Sequence, residues 1–295
     1  MRCEACPLEC GADRSAGPGA CGATDRFEIS NIQLHHWEEP PISGTRGSGT
    51  VFFSHCNLSC RFCQNYRISQ LGTGRVVSET ELAAAILGLV AQGAHNINLV
   101  SPTHYTDLLL PLLARLVPRL SVPVVWNSNG YEKLDRIRQL EGLVRVWLPD
   151  IKYCSDELAA ACSSAPRYFE YASAAVQEML RQAGRNEYDE DGVIHSGLII
   201  RHLVLPGQWE DSIRVLEWIA RELGTGVVVS LMAQYYPTWR ARELPGFDRR
   251  LAPEEYRRVA DRLHELGFEH GFTQEMESAS PDYTPDFTDR PTPEH

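Results

Sequence analysis

Cys56, Cys60 and Cys63 stand in the run Ser54-His-Cys-Asn-Leu-Ser-Cys-Arg-Phe-Cys-Gln64, a C-x3-C-x2-C spacing. Three thiolates this close can hold three irons of a cubane 4Fe-4S cluster and leave the fourth iron without a protein ligand. A centre that only shuttles electrons ordinarily has four thiolates, so the missing one marks an open position for a small molecule. The competing reading is a fragment of a zinc site, because C-x2-C pairs bind zinc. Against it, an apolar strand precedes the loop and no fourth ligand at zinc spacing follows.

A second constellation, Cys3-x2-Cys6-x3-Cys10-x10-Cys21, offers four soft ligands that could close a zinc site or an auxiliary iron-sulfur cluster. Metal binding is the expectation, with free thiols as the alternative. Cys154 and Cys162 are isolated and read as small buried hydrophobes. An odd total of 9 cysteines, clustered toward the N-terminus, suits metal binding in a reducing cytoplasm better than a disulfide framework. The chain has no run of about 18 apolar residues and no charged-then-apolar leader, so neither membrane spanning nor export is expected. A net charge of -11 argues against nucleic acid as the main partner, which would draw on clustered Lys and Arg.

These residues need a frame. With 295 residues, 43% hydrophobic and 23% charged, the chain can bury one large core. Short apolar runs at 50–53, 96–100, 122–126, 144–148, 198–205 and 227–231 read as strands. Between and after them, helical periodicity covers 105–116, 131–140, 166–183, 211–223 and 253–266, and Ser78-x-x-Glu81 forms a capping box for a helix running to Val90. Six strands alternating with six helices predict an α/β fold, a partial (β/α)6 barrel with its chemistry on the strand C-terminal ends. The cysteine loop 56–63 falls on the first such end. Residues 1–49 are expected to form a small Cys-rich metal-binding cap, 50–277 the barrel, and 278–295 an irregular C-terminal tail.

The C-x3-C-x2-C loop resembles the signature of the radical S-adenosylmethionine (SAM) superfamily. The resemblance implies a 4Fe-4S cluster on Cys56, Cys60 and Cys63 whose open iron binds SAM, and a flavodoxin- or ferredoxin-type electron donor. Phe62 fits the aromatic position that packs near the adenine. Further runs resemble a branch similar to the pyruvate formate-lyase activating enzyme. Ser101-Pro-Thr-His-Tyr105 stands where the superfamily usually has Gly-Gly-Glu, so Thr103 and His104 are the candidates for the SAM amine; His104 could instead be a helix-start residue bonded to backbone. Asn127-Ser-Asn-Gly130 resembles a ribose-contacting turn through Asn127, Ser128 and Asn129. Asp150 and Lys152 resemble an Asp-x-Lys run of the SAM or substrate pocket, with a structural ion pair as the alternative.

Arg201, on an otherwise apolar strand, matches the arginine that meets the SAM carboxylate; a buried salt bridge is the competing account. Gln234 replaces a histidine that faces the adenosyl group. The resemblance thus implies reductive cleavage of SAM and hydrogen abstraction by a 5'-deoxyadenosyl radical, with a glycyl radical enzyme as the candidate protein substrate. Radical modification of a peptide, nucleoside or small metabolite is the alternative within the same chemistry. Outside it stands a non-catalytic electron carrier or zinc-stabilised binding module, for which six β-α units would be surplus.

Overall fold

The apolar runs become strands because both of their faces are covered. Along Val124–Ser128, Val124 and Trp126 pack outward under the helices while Val125 packs inward, and every residue of the strand is buried. Such doubly covered strands read as continuous apolar runs rather than as alternation. The computed structural model describes residues 2–279.

In chain order the strands are β1 (Phe27–His35), β2 (Ser48–Phe53), β3 (Arg75–Val77), β4 (Ile97–Val100), β5 (Val124–Ser128), β6 (Val146–Pro149), β7 (Glu187–Tyr188), β8 (Ile194–Leu203), β9 (Val228–Met232) and β10 (Gly271–Thr273). The helices are α1 (Pro40–Ser43), α2 (Tyr66–Ser69), α3 (Glu79–Ala91), α4 (Thr106–Leu116), α5 (Leu134–Gln139), α6 (Asp156–Ser163), α7 (Tyr168–Ala183), α8 (Trp209–Glu222) and α9 (Pro253–Glu265). The sheet order is β10-β9-β8-β6-β5-β4-β2-β1-β3, with β7 paired to β8. From β2 to β10 the neighbours run parallel; β1 runs antiparallel to β2 and to β3. The result is an α/β partial barrel that does not close. No helix among the described residues is long and apolar enough to cross a membrane.

The six expected strands are present with shifted ends. The strand expected at 122–126 starts at Val124, because Pro123 cannot donate to a ladder. The one expected at 198–205 starts at Ile194, where antiparallel pairing with β7 extends it. The helix expected at 131–140 shrinks to Leu134–Gln139 because the Asn129 side chain accepts from the Tyr131 backbone N–H at 2.9 Å and holds a turn there. Helix α6 has no counterpart in the sequence reading; Ser155 caps it by accepting from the Leu158 N–H.

The expected cap, residues 1–49, divides. Its second half is built into the barrel: β1 extends the sheet, and α1 drives Ile42, fully buried, among Val125, Val146, Leu148, Ile199 and Val228. That plug fills the lower interior. Only about the first 26 residues remain a separate Cys-rich segment. Of the expected tail 278–295, all but Ser278 and Ala279 lies outside the described residues.

Candidate functional site

Above the plug, the inward positions change from apolar to polar. The alternation that points Val125, Leu148, Ile199 and Val228 inward also points Asn127, Asp150, Arg201 and Ser230 inward, one layer nearer the strand C-terminal ends. These residues line or border a cavity of about 350 Å³ whose wall also includes Cys60, Phe62, Cys63, Lys152 and Gln234.

The three sulfurs of the loop are each met by a hydrogen-bond donor. Ser163 donates from the end of α6 to Cys60 Sγ at 3.0 Å. Asn129 Nδ2 and the Leu58 N–H each point at Cys56 Sγ from 3.4 Å. Ser69 Oγ lies 3.1 Å from Cys63 Sγ. Burial pushes all three thiols up, Cys63 to about 11, so that bare thiolates are disfavoured here; Lys152 works in the opposite direction on Cys60 and Cys63. Sulfurs wholly or partly withdrawn from solvent, with donors already aimed at them, suit thiolates whose charge is neutralised by bound iron. Among the described residues, no three His, Cys, Asp or Glu side chains converge on the spacing of a single metal ion. A cubane spreads its thiolates over several irons, and the donor set fits one.

The charged part of the cavity is a network around Arg201. Its Nε donates to Asp150 Oδ1 at 3.0 Å, its Nη2 to Asn127 Oδ1 at 2.6 Å, and its Nη1 faces Glu38 Oε2 at 3.5 Å. Lys152 Nζ bonds the other oxygen of Asp150. Burial would raise Asp150, but the adjacent Lys152 and Arg201 outweigh it and hold the carboxyl low. Burial raises Glu38 and Glu39, against the pull of Arg201. The buried salt bridge that competed with a carboxylate-binding role for Arg201 is therefore formed.

Glu38, like Ser163, is a residue the sequence reading missed. It enters the cavity from the loop between β1 and α1 and accepts from Asn98 Nδ2 at 3.0 Å and Asn127 Nδ2 at 3.3 Å. Its only sequence signal is a pair of acidic residues between aromatic side chains and two prolines, His35-His-Trp-Glu-Glu-Pro-Pro41.

Other expected residues stand elsewhere. Thr103 and His104 do not line the cavity. Thr103 Oγ1 donates to buried Glu132 at 2.8 Å, and His104 Nε2 donates to the Ser54 carbonyl at 2.9 Å. Burial lowers His104 to about 3, so its ring is neutral. Ser101 takes a left-handed φ of 54°, which turns the run that follows away from the cavity. Ser128 and Asn129 also lie off the cavity, Asn129 behind Cys56. Gly130, at φ 78°, lets the backbone pass close to β6, since a Cβ there would stand 2.1 Å from the Asp150 carbonyl oxygen. Phe62 stacks on Phe247, and the Gln234 side chain accepts from Gln274 Nε2 at 3.2 Å.

The model of the Radical SAM superfamily matches residues 50–219, more than half of the chain. The chain belongs to the radical SAM superfamily. Membership implies a 4Fe-4S cluster and SAM, and the cysteine loop at the mouth of the barrel is where this radical SAM chain has residues fit to hold them. An uncharacterised protein of Methanocaldococcus jannaschii, MJ0674, is 29% identical over 268 residues, covering 88% of this chain and 73% of the relative. Among solved structures, Streptococcus suis SuiB bound to SAM superposes with a TM-score of 0.51 at 12% identity over 77% of this chain, which spans 50% of SuiB. A spore photoproduct lyase variant gives a TM-score of 0.53 at 10% identity, over 83% of this chain and 79% of the lyase. These two structures show a shared fold.

Proposed function

We propose that this radical SAM protein cleaves SAM reductively at a 4Fe-4S cluster held by Cys56, Cys60 and Cys63, as an enzyme of the activating type whose substrate is a glycine of a glycyl radical enzyme. The observation that carries the reading is the trio of sulfurs, Cys60 buried and Cys56 and Cys63 partly buried, each facing a donor, beside a cavity lined by Asn127, Asp150, Lys152 and Arg201. Bound there, the cluster and SAM supply the electron-driven cleavage of the sulfonium and a 5'-deoxyadenosyl radical that abstracts hydrogen. The electron is assigned to a flavodoxin- or ferredoxin-type donor.

The chain's own part is to hold and orient. Ser163, Asn129 and Ser69 keep donors on the three sulfurs, which fixes their direction. Arg201 keeps further N–H groups beyond those spent on Asp150 and Asn127, and these are assigned to the SAM carboxylate. Glu38 brings into the cavity a carboxylate that the Ser101–His104 run lacks, available to an ammonium group. Phe62 gives the adenine an apolar wall, and Gln234 a polar one. Thr103 and His104 are assigned to support: the first orients Glu132, the second fixes Ser54 ahead of Cys56. The four N-terminal cysteines are read as a second metal site, zinc or iron-sulfur.

The test is anaerobic reconstitution with iron and sulfide counting, then SAM and a strong reductant with deoxyadenosine measured by chromatography. Deoxyadenosine above the level of a Cys60→Ala control is expected. A metal-replete protein that forms none overturns the reading. A glycine-centred radical on a partner, seen by electron paramagnetic resonance, is expected of the activating type. Deoxyadenosine without it removes the activase assignment and leaves SAM cleavage standing.

A further inference from the structure

Four thiols remain outside the cavity, and the fold gathers them. Cys3 and Cys10 lie within electrostatic reach of each other, Cys6 within reach of Cys3 and Cys21, and Cys21 within reach of Cys3 and Cys10. The sulfurs of Cys10 and Cys21 both flank Gly19, where a Cβ would stand 3.4 and 3.8 Å from them. Around them residues 2–26 have turn bonds, such as Gly22 N–H to Gly19 O at 2.9 Å, and one isolated antiparallel bridge, Arg2 with Asp13, flanked by Cys3 N–H to Ala12 O at 2.9 Å. Ala5, Cys6, Pro7 and Ala23 are the buried apolar residues of that segment, too little to hold it in one shape without a staple.

A guanidinium with unspent donors reaches the thiols, its carbon 5.4 Å from the centroid of the Tyr105 ring. Arg14 donates through Nη1 to the His104 carbonyl and stands 4.0 Å from Cys3 Sγ. Its Nε and Nη2 are buried and have no hydrogen-bond partner among the described residues. His104, 1% exposed, likewise has an unpartnered Nδ1. Buried donors of a guanidinium call for an acceptor of negative charge, and a tetrathiolate metal centre is one.

The segment is also wedged against the radical loop. Gly22, directly after Cys21, has φ 91°, and a Cβ there would meet His55 Nδ1 at 2.6 Å. From its other side His55 meets Gly72 as closely, and its Nε2 bonds Glu28 at 2.9 Å. His55 itself sits at a left-handed φ of 70°, immediately before Cys56. One residue earlier, Ser54 is bonded by His104, whose carbonyl Arg14 holds. Two links thus run from the thiol cluster to the residues that aim Cys56.

We propose that Cys3, Cys6, Cys10 and Cys21 bind a second iron-sulfur centre, whose several irons do not need the thiols to converge on one point, and that this centre positions the radical loop through Gly22 with His55 and through Arg14 with His104. The positioning half rests on the reading of Cys56, Cys60 and Cys63 as the SAM-binding cluster site; the metal half does not. Arg14, Gly22 and His55 act through Cys56 and are positioning residues.

The full chain carrying Cys56→Ala, Cys60→Ala and Cys63→Ala, purified anaerobically, tests the metal. It is expected to keep iron with matching sulfide, and to lose both when Cys10→Ser and Cys21→Ser are added. A triple variant without iron, one that holds zinc in its place, or iron that survives the added changes overturns the site whatever the radical loop does. Gly22→Ala in the otherwise intact chain tests the coupling. With both centres counted and full, the SAM-induced change in the paramagnetic resonance spectrum of the reduced cluster is expected to weaken, with SAM affinity down about tenfold. An unchanged response overturns the coupling. Should Gly22→Ala not fold, Arg14→Gln breaks the other link, with the same expectation and the same overturning result. A wild-type chain that gives no SAM response brings down the proposed function and leaves the metal count to decide the N-terminal site.

Discussion

Two sets of cysteines in this chain are held in opposite ways. Cys56, Cys60 and Cys63 lie on a loop at the end of a fully buried strand, and their donors come from α6, from the turn after β5 and from α2. Cys3, Cys6, Cys10 and Cys21 lie in a segment of turns, so the thiols must help to organise the backbone that carries them. A site placed on a scaffold that folds without it can lose a ligand and keep its shape. A site that is its own scaffold cannot.

The largest expected effect separates these two cases. Cys60→Ala should lower deoxyadenosine formation at least about 1,000-fold while leaving the melting temperature nearly in place, because β2 and its neighbours fold on apolar contacts. Cleavage that persists, or a collapse of the fold, would mean that the loop is not the preorganised site described here.

Glu132 lies where the two regions meet, within electrostatic reach of Cys6 and bonded to Thr103 and to Trp126 Nε1 at 2.9 Å. Burial raises its carboxyl to about 7 from an ordinary 4.5. A raised acid binds its proton more tightly in the folded chain, so its stabilising effect is full below about pH 4.5 and is lost as the pH climbs through about 7. The shift corresponds to roughly 3 kcal/mol, an upper figure for a group that can relax. Denaturant titrations of wild type and Glu132→Gln across that window should differ in slope, the wild type losing stability and the variant staying flatter. Parallel curves would show that Glu132 is not the titrating group between the regions.

Much of this architecture is legible residue by residue and some of it is not. The loop spacing, the six strands and the capping box are local patterns, and each corresponds to an element of the structure. Glu38 is different: its place depends on β1 running back along β2 and on Ile42 entering the barrel floor, and neither follows from the residues around it. Ser163 was hidden with its short helix. The polar partners of Arg201 come from three separate elements, which a strand pattern cannot register. Thr103 and His104 stand at the Gly-Gly-Glu position by resemblance, and the left-handed turn at Ser101 directs them elsewhere.

Ser163→Ala sharpens the scaffold side of the comparison. It removes the donor to Cys60 Sγ without touching a ligand, and a hydrogen bond to a charged group is worth about 1.5–3 kcal/mol. The reduced cluster should become harder to reach, with SAM cleavage slowed about tenfold and iron content unchanged. An unaltered reduction potential in a redox titration would show that the donor does not tune the sulfur.

The smallest effect is a control remote from both regions. Ser78 Oγ accepts from the Glu81 N–H at 3.2 Å while Glu81 Oε2 accepts from the Ser78 N–H at 2.7 Å, closing the first turn of α3 on the barrel exterior. Ser78→Ala removes one arm of that box and should cost about 1 kcal/mol in denaturant unfolding. Helix α3 packs its buried Leu82 and Ile86 under the sheet, far from any donor to a cysteine sulfur, so SAM cleavage and metal content should not move. If this variant altered either, the difference between scaffold and site would fail, because a loss of stability anywhere in the barrel would then reach the sulfurs.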